Sequence, residues 1–195
     1  MIFQISAIAI LIAFYGFYIS KMILQNMQSI KTNQVGIGNK PKKVRLIEQV
    51  MSMANLLVIV ADVCSIFIVK NTPEVQVRLV GLLIGVISVV FFASATITMK
   101  NNWRVGIPEE KTELITNGIY KWSRNPAFVG FDLLYLSMCL LFFNIPMLVA
   151  SVFGAVTLHL QILQEEDHMI KMFGEEYITY MKHTFRYFGQ KGNSR

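Results

Sequence analysis

The stretch NPAFVGFDLLYLSMCLLFFNIPMLVASVFGAVTLHLQILQEEDH, residues 125–168, decides the fold. It opens on Asn125-Pro126, runs apolar from Ala127 to Phe143, breaks at Asn144-Ile145-Pro146, runs apolar again from Met147 to Leu163, and ends on Glu165, Glu166 and Asp167. Proline at 146 disfavours helix at Ile145 and lacks an N–H, so the break reads as a tight turn. The two runs are then antiparallel neighbours, each near the lower limit of roughly 17 residues for a bilayer-spanning helix. Such a hairpin puts Arg124-Asn125-Pro126 and Glu165-Glu166 at the same end.

Outward from this hairpin lie three longer apolar stretches: Ile2 to Leu24, Val50 to Val69 and Leu79 to Met99. Each has about the 20 residues a spanning helix needs. The 195 residues suffice for one domain; 54% are apolar and only 15% charged, against roughly 25% charged in a soluble domain. Mean hydropathy is +0.49. These figures favour an all-α, integral membrane helical bundle of five transmembrane helices, with residues 1–99 supplying three of them. Residues 100–195 hold the polar motifs and complete the same membrane domain. The first segment reads as a retained helix, since its apolar part is long, its charge follows it and no small-residue cleavage site is clear. Cys64 and Cys139 lie inside apolar runs and read as buried free thiols.

The net charge of +6 is dispersed between apolar segments, which is how membrane topology is written, and nucleic acid is not an expected partner. Lys31, Lys40, Lys42, Lys43 and Arg45 precede the second span; Lys100, Arg104, Lys111, Lys121 and Arg124 follow the third; Lys171, Lys182, Arg186, Lys191 and Arg195 follow the fifth. The intervening loops hold Lys70 and Arg78, then none. The positive-inside rule puts the N-terminus outside and the C-terminus in the cytoplasm of a cytoplasmic (inner) membrane.

Two clusters could carry chemistry. In the first, Asn125 suits an N-cap and Pro126 a first helical position. Arg124 then serves either as an anchor to lipid phosphate, or, with the positive end of the helix, as a holder of a carboxylate or phosphate. In the second, Gln161, Glu165, His168 and Met172 share one helix face, and Glu166 points about 100° away. Gly174 is expected to stop that helix. Beyond it, Tyr177, Tyr180, Met181, Thr184, Phe185 and Phe188 recur at near-helical spacing, as in an interfacial amphipathic helix or an ordinary docking helix. Asp62 and Asp132, inside spans, are expected to face helices or water. The histidines lack metal-ligand spacing, and no glycine-rich phosphate loop follows a strand, which argues against a metal site and a soluble Rossmann domain.

Gly118-Ile119-Tyr120, then Arg124-Asn125-Pro126-Ala127-Phe128 and Gly130, resembles the G-x-Y…R-H-P-x-Y-x-G signature of the isoprenylcysteine carboxyl methyltransferase family and its phospholipid methyltransferase relatives. Glu165-Glu166, followed by Phe173-Gly174-Glu175-Glu176-Tyr177 and Tyr180, resembles that family's ending. The resemblance runs from about Lys111 to Phe188. It implies a small helical membrane protein that binds S-adenosyl-L-methionine in a cytosolic pocket and methylates a lipophilic or membrane-associated acceptor. It also implies that Thr112, Glu113, Leu114, Ile115, Tyr120, Arg124, Asn125, Pro126, Ala127 and Phe128 contact the cofactor, and that Glu165 is the active-site glutamate. Three positions depart from the pattern: Asn125 replaces the motif histidine, Phe128 the motif tyrosine, and Gln161 an arginine that serves the substrate carboxylate. With Gln161 taken to face the acceptor beside Glu165, the expected acceptor group is an amine or thiol. The alternatives are a nicotinamide-dependent membrane reductase of related architecture and a non-catalytic lipid-binding protein.

Overall fold

The computed structural model describes residues 1–70, 72–108 and 112–190. Lys111, Lys191 and Arg195, used above to argue orientation, lie outside the described residues. Six α-helices follow in order: α1 (Ile2–Met27), α2 (Lys42–Ile68), α3 (Val75–Met99), α4 (Pro126–Leu141), α5 (Ile145–Phe173) and α6 (Glu175–His183). Short 3-10 turns occupy Lys100–Asn102 and Gly118–Lys121. Among the described residues no strand forms; two isolated bridges, Asn33–Val105 and Thr184–Gln190, join loops. Four helices are long and apolar enough to cross a membrane, and α4 is a shorter apolar fifth. The chain is an integral membrane helical bundle.

The interior is built from narrow stripes. α3 lies along α4, and α2 along α5, so the N-terminal and C-terminal halves interleave into one body. Close approach of α3 to α4 depends on small residues: a Cβ at Gly85 would come within 2.7 Å of Ser137 Oγ, and Ser137 Oγ donates to Gly81 O at 2.7 Å. Lipid offers no hydrophobic drive between helices, and such close backbone contact supplies packing instead. Phe14, Phe92, Leu134, Met138 and Met147 fill the centre, while Ile5, Ile12, Leu56, Leu83 and Val149 face outward. Asp62 faces helices, with no exposure and neither carboxylate oxygen hydrogen-bonded.

Three boundaries differ from expectation. The break expected at 144–146 falls at 142–144, and Ile145 and Pro146 open α5, because proline is tolerated in the first helical turn where its missing N–H has no partner to lose. α2 begins at Lys42, well before Val50, because the charged Lys42–Gln49 stretch is a good helix former and extends the buried face of the helix back to Glu48. The aromatic run after Gly174 does not continue as one helix: α6 ends at His183, and residues 184–190 turn back through Gly189 at φ +121°. Tyr177 is buried, whereas Phe185, Tyr187 and Phe188 are exposed.

Helix α4 is the key to the site. Its 16 residues span about 24 Å, against about 43 Å for the 29 residues of α5. Both start or end at the 142–144 turn, so the N-terminus of α4 is recessed beside the flank of α5. The turn itself carries the side-chain cap: Asn144 Oδ1 accepts from Met147 N at 2.9 Å.

A recessed cleft beside an apolar cavity

The recess at the start of α4 is walled by α5, by α6 and by the extended 112–116 segment. Glu166 organises its floor. Its Oε1 accepts from Arg124 Nε and Nη2 at 3.1 and 2.8 Å and from Asn125 Nδ2 at 3.1 Å. Its Oε2 accepts from Arg186 Nε and Nη2 at 3.0 and 2.9 Å. Arg124 Nη1 donates to Thr184 O at 2.6 Å, Arg124 N to Phe185 O at 3.1 Å, and Gly189 N to Trp122 O at 2.6 Å. The C-terminal hook is thereby latched under the α4 N-terminus. The hydrogen bonds to Glu166 hold the Arg186 guanidinium above its ordinary pKa.

This arrangement corrects two expectations. Asn125 makes no side-chain cap; its amide donates to Glu166 and to Arg186 O at 3.2 Å, because a buried carboxylate and carbonyl need a donor more than the helix end needs an acceptor. Arg124 is neither at lipid phosphate nor an open cation: its charge is matched by Glu166, with both side chains 5% exposed.

Above this floor lies an open cleft of about 120 Å³. Thr112, Glu113, Leu114 and Ile115 line one side, Tyr120 and Arg124 another, and Asn125, Pro126, Ala127 and Phe128 the recessed helix end. Every sequence-nominated cofactor residue therefore meets in one place, together with Glu165. Among the described residues, Leu114 and Ile115 make no intramolecular backbone hydrogen bond, and His168, on the wall, has a buried Nε2 without a partner. Those groups are available to a ligand. Burial holds the hydroxyls of Tyr120, Tyr177 and Tyr180 above the usual tyrosine range, so they are neutral phenols here. Tyr180 spends its proton on Tyr120 O at 2.5 Å.

Gln161 is placed differently. It has no exposure and lines neither this cleft nor its neighbour. Its Nε2 donates to Glu165 Oε1 at 2.9 Å. Four residues advance a helix by about 400°, so Gln161 is rotated roughly 40° from Glu165, and it is fully buried. The argument that Gln161 meets the acceptor, and with it the ground for preferring an amine or thiol, is removed.

A second, mainly apolar cavity of about 340 Å³ lies toward α1 and α2, between Tyr15, Tyr18, Met51, Leu56, Ile59 and Phe131. The two share Ala127, Phe128, Glu165, Trp103, Arg104 and Gly106. No composition signal announced the 103–108 segment, which the sequence shows only as a loop between spans.

A cleft lined by polar side chains thus meets an apolar cavity along one shared wall inside this helical membrane bundle. The phospholipid methyltransferase family profile matches residues 76–176, just over half of the chain, and the chain belongs to that family. It is 30% identical over 109 residues to the protein-S-isoprenylcysteine O-methyltransferase of Mus musculus, covering 52% of this chain and 38% of that protein. It is 28% identical over 107 residues to the enzymes of the same name from Xenopus laevis and Dictyostelium discoideum, covering 37% and 45% of them. The matched stretch is thus less than half the length of these relatives.

Proposed function

We propose that the protein is an S-adenosylmethionine-dependent methyltransferase of the membrane, with the donor in the polar cleft and a lipophilic acceptor in the apolar cavity. The observation that carries this reading is the shared wall: Ala127, Phe128 and Glu165 belong to both spaces. Family membership and the relatives' names support it. The cleft also fits the donor chemically. Free peptide groups at Leu114 and Ile115 suit an adenine or ribose edge, buried tyrosines suit a cation, and Glu165 suits an ammonium or sulfonium charge.

When bound, S-adenosylmethionine supplies a methyl group already activated on sulfonium. The chain then has four tasks. Residues 112–115 and Tyr120 hold the donor, and Pro126–Phe128 fix the line between the two spaces. The apolar cavity orients the acceptor and keeps water out, which is where proximity and a dry site contribute most. Glu165 takes the proton if the acceptor is an amine or thiol, or orients the acceptor if it is a carboxylate. Gln161 fixes the Glu165 rotamer from behind and leaves Oε2 for the ligand.

The basic residues Lys42, Lys43, Arg45, Lys100, Lys121 and Lys182 gather at the cleft end, which we place in the cytoplasm, with the 142–144 turn outside. In a cysteine-free background, Cys at Asn144 and at Glu176 should label from opposite sides; labelling from one side refutes the topology. Calorimetry of the detergent-solubilised chain should show S-adenosylmethionine binding and none of NADPH, and methyl-labelled donor should transfer label to a lipid extract. NADPH binding alone would favour the reductase reading, and donor binding with no label passed to lipid or to a prenylated peptide the non-catalytic one.

A further inference from the structure

We propose that Lys40 and Glu48 form a positioning clasp for the shared wall of the two cavities, so that the site is completed by a part of the chain outside the family match at 76–176. The inference rests on the donor-and-acceptor reading above. Glu48 stands in the second turn of α2 and has no exposure. Its Oε1 accepts from Ile107 N at 2.8 Å, and its Oε2 from Gly36 N at 2.7 Å. Lys40 Nζ donates to both oxygens, at 2.8 and 2.9 Å, and to Gln34 O at 2.6 Å. One carboxylate thereby ties two loops, held at Gly36 and Ile107, to one helix.

The loops are paired directly as well. Gln34 N donates to Val105 O at 2.8 Å, and Val105 N to Thr32 O at 3.0 Å. Gln25 Nε2 donates to Trp103 O at 3.1 Å. Gly106 lies between them at φ +82°, and a Cβ there would come within 3.0 Å of Glu48 Oε1 and 3.2 Å of Val35 N. The residue type follows from both demands, a left-handed backbone and close approach of the carboxylate.

The tethered segment is the one that faces both spaces. Trp103, Arg104 and Gly106 line the cleft and the cavity alike, and Ile107 lines the cleft. The Lys40 and Glu48 charges also lie within electrostatic range of Glu165. A loop that only needed covering would be served by apolar packing. A charge-assisted tether to a single peptide N–H fixes position within tenths of an ångström, and a donor–acceptor line needs that precision.

The test uses the full chain in nanodiscs, with amide exchange read by mass spectrometry and S-adenosylmethionine affinity by calorimetry. Glu48→Gln keeps the shape but offers one acceptor where two peptide N–H groups need one each. It should raise exchange at least tenfold in peptides covering 103–108 and weaken donor binding at least tenfold, with exchange at the distant 142–147 turn unchanged. Gly106→Ala presses on the same carboxylate from the other side and should give the same signature if Glu48→Gln does not fold. Exchange that rises evenly through the bundle, or unchanged exchange at 103–108, overturns the clasp. Unchanged donor affinity with local loosening overturns its positioning role. A wild-type chain that binds no S-adenosylmethionine overturns the donor reading instead, and local exchange at 103–108 still decides whether Glu48 holds the wall.

Discussion

Glu166 and Glu48 are both buried carboxylates at the cleft end of the bundle, and both hold chain segments distant in sequence. They do so with different partners. Glu166 gathers two arginines and an asparagine and latches the C-terminal hook. Glu48 gathers one lysine and two peptide N–H groups and holds the loops before α2 and after α3. The difference teaches how charge is used where a membrane bundle meets its loops. Peptide groups packed there are cut off from water and must find partners. A carboxylate accepts about four hydrogen bonds, so one well-placed glutamate can satisfy several strands of irregular chain. Where the loop offers side-chain cations, the result is an ion-pair cluster; where it offers peptide N–H groups, the result is a backbone tether.

The comparison can be broken most forcefully at Glu166. Glu166→Ala leaves Arg124 buried without its counter-charge, and breaking a buried pair costs about 3–5 kcal/mol. Thermal unfolding in detergent should show a large fall in midpoint or loss of folded protein; a midpoint like that of the wild type refutes the latch. Arg186 is the outer half of the same cluster and 35% exposed, so solvent screens its contribution. Arg186→Ala should cost about 1 kcal/mol, and proteolysis near residues 184–190 should quicken before the bundle melts.

Glu165, the immediate neighbour of Glu166, should behave in the opposite way. Glu165→Gln removes no ion pair and should shift stability by less than about 1 kcal/mol, since it trades one hydrogen bond for another. Methyl transfer should nevertheless fall by more than about a hundredfold, the lower end of general acid–base contributions, with donor affinity kept within about tenfold. Full activity in this variant removes Glu165 from the reaction. At the bottom of the scale, the Lys171–Asp167 pair is 72% and 63% exposed, and Lys171→Ala should change stability by only about 0.3 kcal/mol in a melt at moderate salt.

The spans were legible because a run of apolar residues near 20 long has one interpretation in a bilayer, and the existence of a break near Asn144 because asparagine caps and proline opens a helix, although Ile145 and Pro146 belong to α5 and not to the turn. The cleft residues were legible through the Arg124–Phe128 and Glu165-Glu166 motifs, which the fold brings to one recess. What escaped was partner choice. Asn125 has the right chemistry for a cap, yet a stronger acceptor lay 41 residues away. Gln161 shares a helical face with Glu165 on a wheel, but a wheel does not show that one is fully buried while the other lines both cavities. Glu48, within KPKKVRLIEQV, looks like one charge on a solvated basic stretch. Only the meeting of loops 32–37 and 103–108 reveals its role, and no local pattern encodes a contact across that separation.

The shortness of α4 has a consequence for lipid traffic. A spanning helix of full length would carry Asn125 and Pro126 out to the level of the headgroups, and a reacting group would have to rise there with part of its tail. With about 24 Å of helix against a hydrocarbon layer of about 30 Å, and the 142–144 turn at the opposite surface as proposed, the reacting plane would sit several ångströms below that level. In the proposed reaction the soluble donor descends and the lipophilic partner stays in place. Lifting a tail of about fifteen carbons into water would cost on the order of 12 kcal/mol at about 0.8 kcal/mol per methylene. A recess spares that extraction: turnover would follow the lateral concentration of acceptor within the leaflet rather than its vanishing solubility in water.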